Sequence, residues 1–350
     1  MSGSLSASSL LYALGCTAVA AAITWSMAYF AVLVDVPNAR SSHVRPTPRG
    51  GGVGILAAFF VGLVAVHIAV DLFDQPGLAA FATAALIMGL AGLVDDVRSM
   101  KFTTKLAAQI AASVIAMAGG LVIPTLYIPW IGPLELGAFA YPLTLLWLIG
   151  LTNAFNFMDG LDGLAGGVAV IAGGFLCILA LLLEEPVVLI VSGLLTAASA
   201  GFLIFNLPPA RIFMGDVGSQ FLGFAFAALS VMLTLRDGTG TLLLLVPVLL
   251  FSFLFDTAFT AIRRWRNGEN LAAAHRTHLY QLLNRSGLNH RQVAGAQYAM
   301  AVVHGVAALW LVRAEPPTRW LLLIALLAAQ SAYALVVLRL FQSRNKSVTG

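Results

Sequence analysis

Eleven stretches of this chain are apolar for about the length of a membrane-crossing helix, falling near residues 9–32, 51–70, 78–94, 104–121, 138–153, 164–183, 187–205, 218–235, 241–262, 293–313 and 319–341. A helix needs about 20 apolar residues to cross the hydrocarbon core. A soluble domain carries about 25% charged residues; this chain of 350 carries 10% and has a mean hydropathy of +0.92. Too little polar surface exists to cover such a chain in water. The sequence therefore predicts an all-α polytopic membrane protein, one domain over 1–350, with about eleven transmembrane helices. No charge precedes Asp35 and no basic leader stands before the first run, which predicts a retained span rather than a cleaved signal. Cys16 and Cys177 both lie in apolar runs, where a thiol behaves as a small hydrophobe, so no disulfide is expected.

Charge sets the orientation. The segments near 35–50, 95–105, 206–216 and 263–292 and the C-terminal tail hold three, three, one, six and three of the nineteen Lys and Arg residues. Only Arg236, Arg313 and Arg319 fall on the other side. Excess Lys and Arg mark cytoplasmic loops, so the N-terminus is expected outside, the C-terminus inside, and the cytoplasmic loops at about 33–50, 95–104, 154–163, 206–217 and 263–292. The basic pI of 9.3 follows from this asymmetry and is no sign of nucleic acid.

The acids sort with the same geometry. Asp71, Asp74, Glu135, Glu184, Glu185, Asp237 and Glu315 fall on outer loops, where they read as solvated charge. Asp35, Asp95, Asp96, Asp159, Asp162, Asp216, Asp256 and Glu269 fall on the inner side, mostly at helix mouths. An Asp at mid-membrane costs about 2.5–3.5 kcal/mol on insertion scales, so repeated Asp at span ends asks for a reason.

Five clusters supply one. "GLVDDVRS" closes a span with Asp95 and Asp96, followed by Arg98, Lys101 and Lys105. The plain reading is a border pair neutralised by those bases; since adjacent helical residues point about 100° apart, one acid can face the bundle and the other the loop. In "NAFNFMDGLDGLAGG", Asn153, Asn156, Asp159 and Asp162 recur every third residue. Neighbours three apart share a helix face, and a bend at Gly160 and Gly163 would let all four converge. "NLPPARIFMGDVGSQFLG" ends one span at Pro208 and Pro209 and frames Asp216 with glycines, with Arg211 and Phe213 before it. Backbone N–H groups opening the next helix suit an anion. "DVPNARSSHVRPTPRGGGVGI" sets Arg40, His43, Arg45 and Arg49 in a Pro/Gly framework. Positive-inside bias explains the arginines; the framework suits a phosphate-recognising loop. "HRTHLYQLLNRSGL" reads as a short amphipathic helix stopped at Gly287, with His275 and His278 able to face one site and His290 read as solvated. The outer segment "VIPTLYIPWIGPLELGAF" reads as a short hairpin with Tyr127 and Trp130 near headgroups.

Carboxylates and amides without thiols suit a hard cation such as Mg²⁺, which binds through one or two carboxylates plus substrate phosphates. Arg, His and glycine-framed amides suit phosphate oxygens. Together they point to phosphoryl transfer, which is mainly positioning and charge neutralisation, at a membrane border where a soluble donor can meet a lipid acceptor.

Taken in order, "RPTPRGGG", "GLVDDVRS", "NAFNFMDGLDGLAGG", "RIFMGDVGSQFLG" and "HRTHLYQLL" resemble the polyprenyl-phosphate N-acetylhexosamine-1-phosphate transferases (glycosyltransferase family 4), over most of the chain. The resemblance implies transfer of HexNAc-1-phosphate from a UDP-N-acetylhexosamine to undecaprenyl phosphate, releasing UMP, in the bacterial cytoplasmic (inner) membrane among membrane lipids. It implies Mg²⁺, with Mn²⁺ able to substitute, and a homodimer. Carried onto this sequence, it places Asp216, Asp96 and Asn156 at the metal. Asp95, Asp96, Asp159 and Asp162 become catalytic, and Arg45, Arg49, Asn153, Asn156, Arg211, Phe213, His275 and His278 contact substrate, Phe213 stacking on uracil. The opening "DVPNARSSHVRPTPRGGG" is similar to the O-antigen-initiating branch, and "HRTHLYQ" departs from the histidine run of the muramyl-pentapeptide enzymes. GlcNAc, or a 6-deoxy HexNAc such as FucNAc or QuiNAc, is therefore the expected donor. The alternatives are the phospho-MurNAc-pentapeptide transferase of peptidoglycan synthesis and, in another class, an ion-coupled transporter, whose acids would sit near the midplane.

Overall fold

The computed structural model describes residues 7–31, 33–37, 46–128, 131–271, 273 and 275–349. Arg40, His43, Arg45 and Trp130 lie outside them. In chain order the elements are α1 (Ala7–Phe30), β1 (Val34–Asp35), β2 (Thr47–Pro48), α2 (Gly52–Val70), α3 (Leu78–Arg98), α4 (Phe102–Ala118), β3 (Thr125–Ile128), β4 (Gly132–Glu135), α5 (Ala140–Phe157) and α6 (Leu164–Leu182). Then follow α7 (Pro186–Asn206), α8 (Asp216–Asp237), α9 (Leu245–Leu249), α10 (Phe251–Arg266), α11 (Leu279–Arg285), α12 (His290–Arg313) and α13 (Pro316–Thr349).

Among the described residues nine helices are long and apolar enough to cross a membrane, and a bent pair makes up to ten. The 17-residue α4 is shorter, about 26 Å at 1.5 Å per residue. Every expected apolar run is helical, but the run near 241–262 is not one straight span. Leu250 takes φ −104° and ψ 24°, which ends α9, and Leu242–Leu249 meets α10 at 76°.

The α8 helix is apolar on all sides and is buried over 94% of its apolar window, so it forms the axis around which α2, α3 and α5 pack. Small residues allow the closest approaches. A Cβ on Gly52 would lie 2.3 Å from the Gly218 nitrogen, and one on Gly92 would lie 2.4 Å from the Asp216 carbonyl oxygen. These contacts bring the start of α2, the end of α3 and the start of α8 to one end of the bundle. At the opposite end β3 and β4 pair antiparallel, Thr125 with Glu135 through Ile128 with Gly132, as the Pro-rich segment predicts.

Helices run further into the polar segments than the sequence suggests. The α3 helix continues to Arg98 and α5 to Phe157, so Asp95, Asp96 and Asn156 are helical and not in loops, in line with Asn153. Their side chains find partners on neighbouring helices, which removes the cost of keeping them inside.

Candidate active site

The Asp96 carboxylate caps the α8 helix. Its Oδ1 accepts from the Asp216 N–H at 3.0 Å and its Oδ2 from the Val217 N–H at 3.1 Å. An acid at a helix N-terminus satisfies orphan N–H groups and complements the helix dipole. Arg49 braces the same residue: its guanidinium donates to the Asp96 backbone carbonyl, and Nε lies 3.6 Å from Oδ1.

With Asp96 turned to α8, Asp95 turns toward the loop after α3, as adjacent helical positions allow. It is 9% exposed and Asp96 4%. Asp95 Oδ1 accepts from the Met100 N–H at 2.6 Å, and Oδ2 lies 2.5 Å from Lys105 Nζ. The same ammonium lies 2.7 Å from Asp216 Oδ2. Lys105 thus neutralises Asp95, as Arg49 does Asp96, and it also spans the gap between Asp95 and Asp216. Asp216 further accepts from Asn156 Nδ2 at 3.2 Å and Gln220 Nε2 at 3.1 Å, while Asn156 also donates to Ser219 Oγ at 2.8 Å.

The four polar residues spaced by three do not converge. Asn153 exchanges hydrogen bonds with Gln109 at 2.9 and 3.2 Å, joining α5 to α4, and Gln109 reaches Gln220 at 3.4 Å. Asn156 turns to Asp216. Asp162 lies beyond the turn and points the other way: Oδ2 accepts from the Ala210 N–H at 3.1 Å and Oδ1 meets His290 Nδ1 at 3.2 Å. The reason is that α5 ends at Phe157, so Asp162 is carried by the turn before α6 and not by the helix face that holds Asn153 and Asn156. His290, expected in solvent, is therefore a structural partner. Burial alone would raise Asp162, yet His290 and the Ala210 N–H hold it below the usual carboxylate range.

Asp159 behaves differently. No described residue gives its carboxylate a hydrogen bond or ion pair; burial, joined by the Asp216 and Asp96 charges, pushes it up to about 8. It is a protonated acid near the Asp216 cluster, on the turn between α5 and α6. Asp96, Asp159 and Asp216 thus share one neighbourhood despite 120 residues of separation.

His275 and His278 do face one another, with ring centroids 4.9 Å apart. His278 is buried and its Nδ1 lies 3.0 Å from Asp256 Oδ1. Asp256 also accepts from the N–H groups of Leu279 at 2.9 Å and Tyr280 at 3.1 Å, so one carboxylate caps α11 and orients the histidine. Tyr280 donates to the Phe157 carbonyl at 3.0 Å, which docks α11 on the end of α5, beside Asp159. His275 is held down to about 4 by burial, then by His278 and Arg264, and so is neutral. Asp256 and Gln109 are given no role by the sequence, and Lys105 only that of a base neutralising the Asp95–Asp96 pair. An acid within an apolar run was the available signal for Asp256.

Arg49 and Phe213 pair as an isolated parallel bridge. The Phe213 N–H donates to the Pro48 carbonyl at 2.8 Å, and the Gly51 N–H donates back to Phe213 at 2.9 Å. Arg49 and Phe213, far apart in sequence, thereby share one wall. Arg211 next to it is exposed, and no described residue partners its guanidinium.

Among the described residues no group of three or more His, Cys, Asp or Glu side chains is set to hold a metal. Mg²⁺ needs no such cage, because it takes one or two carboxylates and fills its shell with water and phosphate. Asp95 and Asp216 supply two hard carboxylates with a positive charge already between them. The donor set fits Mg²⁺.

The chain is similar to known proteins over most of its length. Glycosyl transferase family 4 matches residues 78–234. A probable undecaprenyl-phosphate N-acetylglucosaminyl 1-phosphate transferase of Bacillus subtilis (strain 168) is 33% identical over 319 residues, 91% of this chain and 84% of that one. A decaprenyl-phosphate N-acetylglucosaminephosphotransferase of Mycobacterium tuberculosis (strain ATCC 25618 / H37Rv) is 34% identical over 74% of this chain and 71% of its own. A phospho-N-acetylmuramoyl-pentapeptide-transferase of Leuconostoc citreum (strain KM20) is 35% identical over 56% of this chain and 65% of its own. With a charged constellation gathered at one bundle end and relatives matched over most of its length, the chain belongs to glycosyl transferase family 4, among the polyprenyl-phosphate N-acetylhexosamine-1-phosphate transferases.

Proposed function

We propose that this protein transfers GlcNAc-1-phosphate from UDP-GlcNAc to undecaprenyl phosphate at the cytoplasmic face of a bacterial inner membrane, releasing UMP. The observation that carries the reading is Asp216, held at the start of α8 by Lys105, Asn156 and the Asp96 cap. GlcNAc is preferred because relatives named for it match 91% and 74% of this chain, against 56% for the pentapeptide transferase. The lipid-linked product suits the first step of a surface polysaccharide such as O-antigen.

The lipid phosphate, a monoester with a second pKa near 6, is largely dianionic at neutral pH and needs no strong base. One of its oxygens forms a bond to the β-phosphorus of the donor. The bond from that phosphorus to the bridging oxygen breaks, and UMP leaves with the electron pair. Lys105, Arg49 and Arg211 offset the charge of the phosphates, and the neutral Asp159 can donate a hydrogen bond to a phosphate oxygen. Phe213 offers a face for uracil. Asp95 and Asp216 would hold Mg²⁺, with Asn156 orienting Asp216; when bound, the ion supplies charge neutralisation for the diphosphate. Asp96 and Asp162, engaged by α8 and by His290, position the site. The acids gather at one end of the bundle, which favours this chemistry over a carrier with a midplane site.

The test is UMP release by purified protein in detergent. UDP-GlcNAc should release UMP only when undecaprenyl phosphate and Mg²⁺ are both present, and UDP-MurNAc-pentapeptide should not. No release from UDP-GlcNAc overturns the donor assignment.

A further inference from the structure

The α13 helix has 34 residues, about 51 Å at 1.5 Å per residue, whereas a hydrocarbon core is about 30 Å thick. Several turns must project beyond the membrane. Around Phe341 and Arg344 this helix packs on α11, the seven-residue helix that presents His278 at its N-cap. A helix this short is not stable alone in water, so its position depends on what grips its two ends. Asp256 grips the first.

The second is gripped from α13 in two reciprocal contacts. The Arg285 guanidinium of α11 lies over the Phe341 ring, 4.8 Å from its centroid. In return Arg344 Nη1 of α13 donates to the carbonyl of Ser286, the C-cap residue of α11, at 2.8 Å. A cation at a helix C-terminus satisfies an orphan carbonyl and complements the dipole. Gly287 makes room for it: its φ is +108°, and a Cβ there would lie 1.8 Å from Arg344 Nη1. Deeper in the bundle, Gln330 of α13 donates toward His304 at 3.4 Å and Tyr333 accepts from Gln297 at 3.4 Å, fixing α13 to α12.

We propose that Arg344 and Phe341 are positioning residues for the transfer reaction: the projecting end of α13 clamps the C-terminal end of α11 and so holds His278 at the site. The effect on turnover rests on the function proposed above; the clamp itself does not. The full chain is compared with Arg344→Ala, Arg344→Lys and Phe341→Leu, the last keeping apolar bulk while removing the ring beneath Arg285. Amide hydrogen exchange and UMP release are measured on each. In Arg344→Ala the α11 amides should exchange about tenfold faster, the scale of one charge-assisted hydrogen bond, with α2 and α8 unchanged. The kcat should fall about fivefold with KM for UDP-GlcNAc unchanged, Arg344→Lys should recover part of both, and Phe341→Leu should loosen α11 by a smaller factor. Unchanged α11 exchange in both Arg344→Ala and Phe341→Leu overturns the clamp, and faster exchange with unaltered kcat overturns its link to His278. If the unaltered protein transfers nothing, the proposed function fails while the exchange comparison still decides the clamp.

Discussion

Lys105 Nζ lies 2.7 Å from Asp216 Oδ2, placing a tethered cation against the acid that opens α8. The same nitrogen reaches Asp95 at 2.5 Å, so two carboxylates share one positive charge. Replacing it, as in Lys105→Gln, leaves the acids facing each other. The groups are partly exposed, so a loss of about 1–3 kcal/mol is expected. Millimolar Mg²⁺ should then raise the melting temperature of the variant more than that of the parent. Equal Mg²⁺ shifts in both proteins would show that the cation does not act at this pair.

Asp216→Asn keeps the shape of the side chain and removes its charge. UMP release should fall about 10³-fold, equivalent to the several kcal/mol that a metal or its charge partner supplies to a phosphoryl transition state. Asp162→Asn should instead cost stability with little change in kcat, because its contacts are His290 and Ala210. Kinetics on the two variants, with melting curves, separate the roles.

Asp256 and His278 form one unit, 3.0 Å apart, and Asp256 also caps α11. Either Asp256→Asn or His278→Asn should lower kcat by about 10- to 100-fold, the scale of one hydrogen bond to a charged group. The double variant should lose little more than the worse single one, as contacting residues are not additive. Additive losses would mean that the two act separately.

Asp159 predicts a pH signature. Its folded value of about 8 stands above the ordinary 3.8. An acid raised in this way favours the folded state most below the unfolded value and loses that contribution as pH rises toward 8. With metal chelated, Asp159→Asn should therefore gain melting temperature relative to the parent from about pH 4 to 8, then level off. Mg²⁺ should narrow the gap, since a nearby cation favours the charged form. A gap independent of pH would remove the neutral-acid role.

Much of this site was legible in the sequence because polar groups are costly in a membrane and their presence at span ends needs a cause. Asp95, Asp96, Asp159 and Asp216 stood out for that reason, as did Asn156 and the two histidines. What those groups bind was less legible. Asp96 caps a helix that starts 120 positions later, a pairing no local pattern encodes. Lys105 is legible as a base beside the acid pair, but its reach to Asp216 is not, and Asn153 shares its spacing with Asn156 yet faces Gln109 on another helix. The 241–262 run has the length of one span with Asp256 as its single charge, and its 76° break leaves no trace in periodicity. Spacing by three implies adjacency only while the helix lasts, and α5 stops at Phe157, which leaves Asp162 on the far side of the turn.

The most direct measurement follows the β-phosphorus itself. Purified protein is given UDP-GlcNAc labelled at the β-phosphate, with undecaprenyl phosphate and Mg²⁺. The label should enter the lipid fraction with GlcNAc while the released nucleotide is unlabelled UMP. Labelled UDP as the released nucleotide, with unlabelled sugar on the lipid, would mean that the glycosidic bond breaks instead and would contradict the proposed transfer.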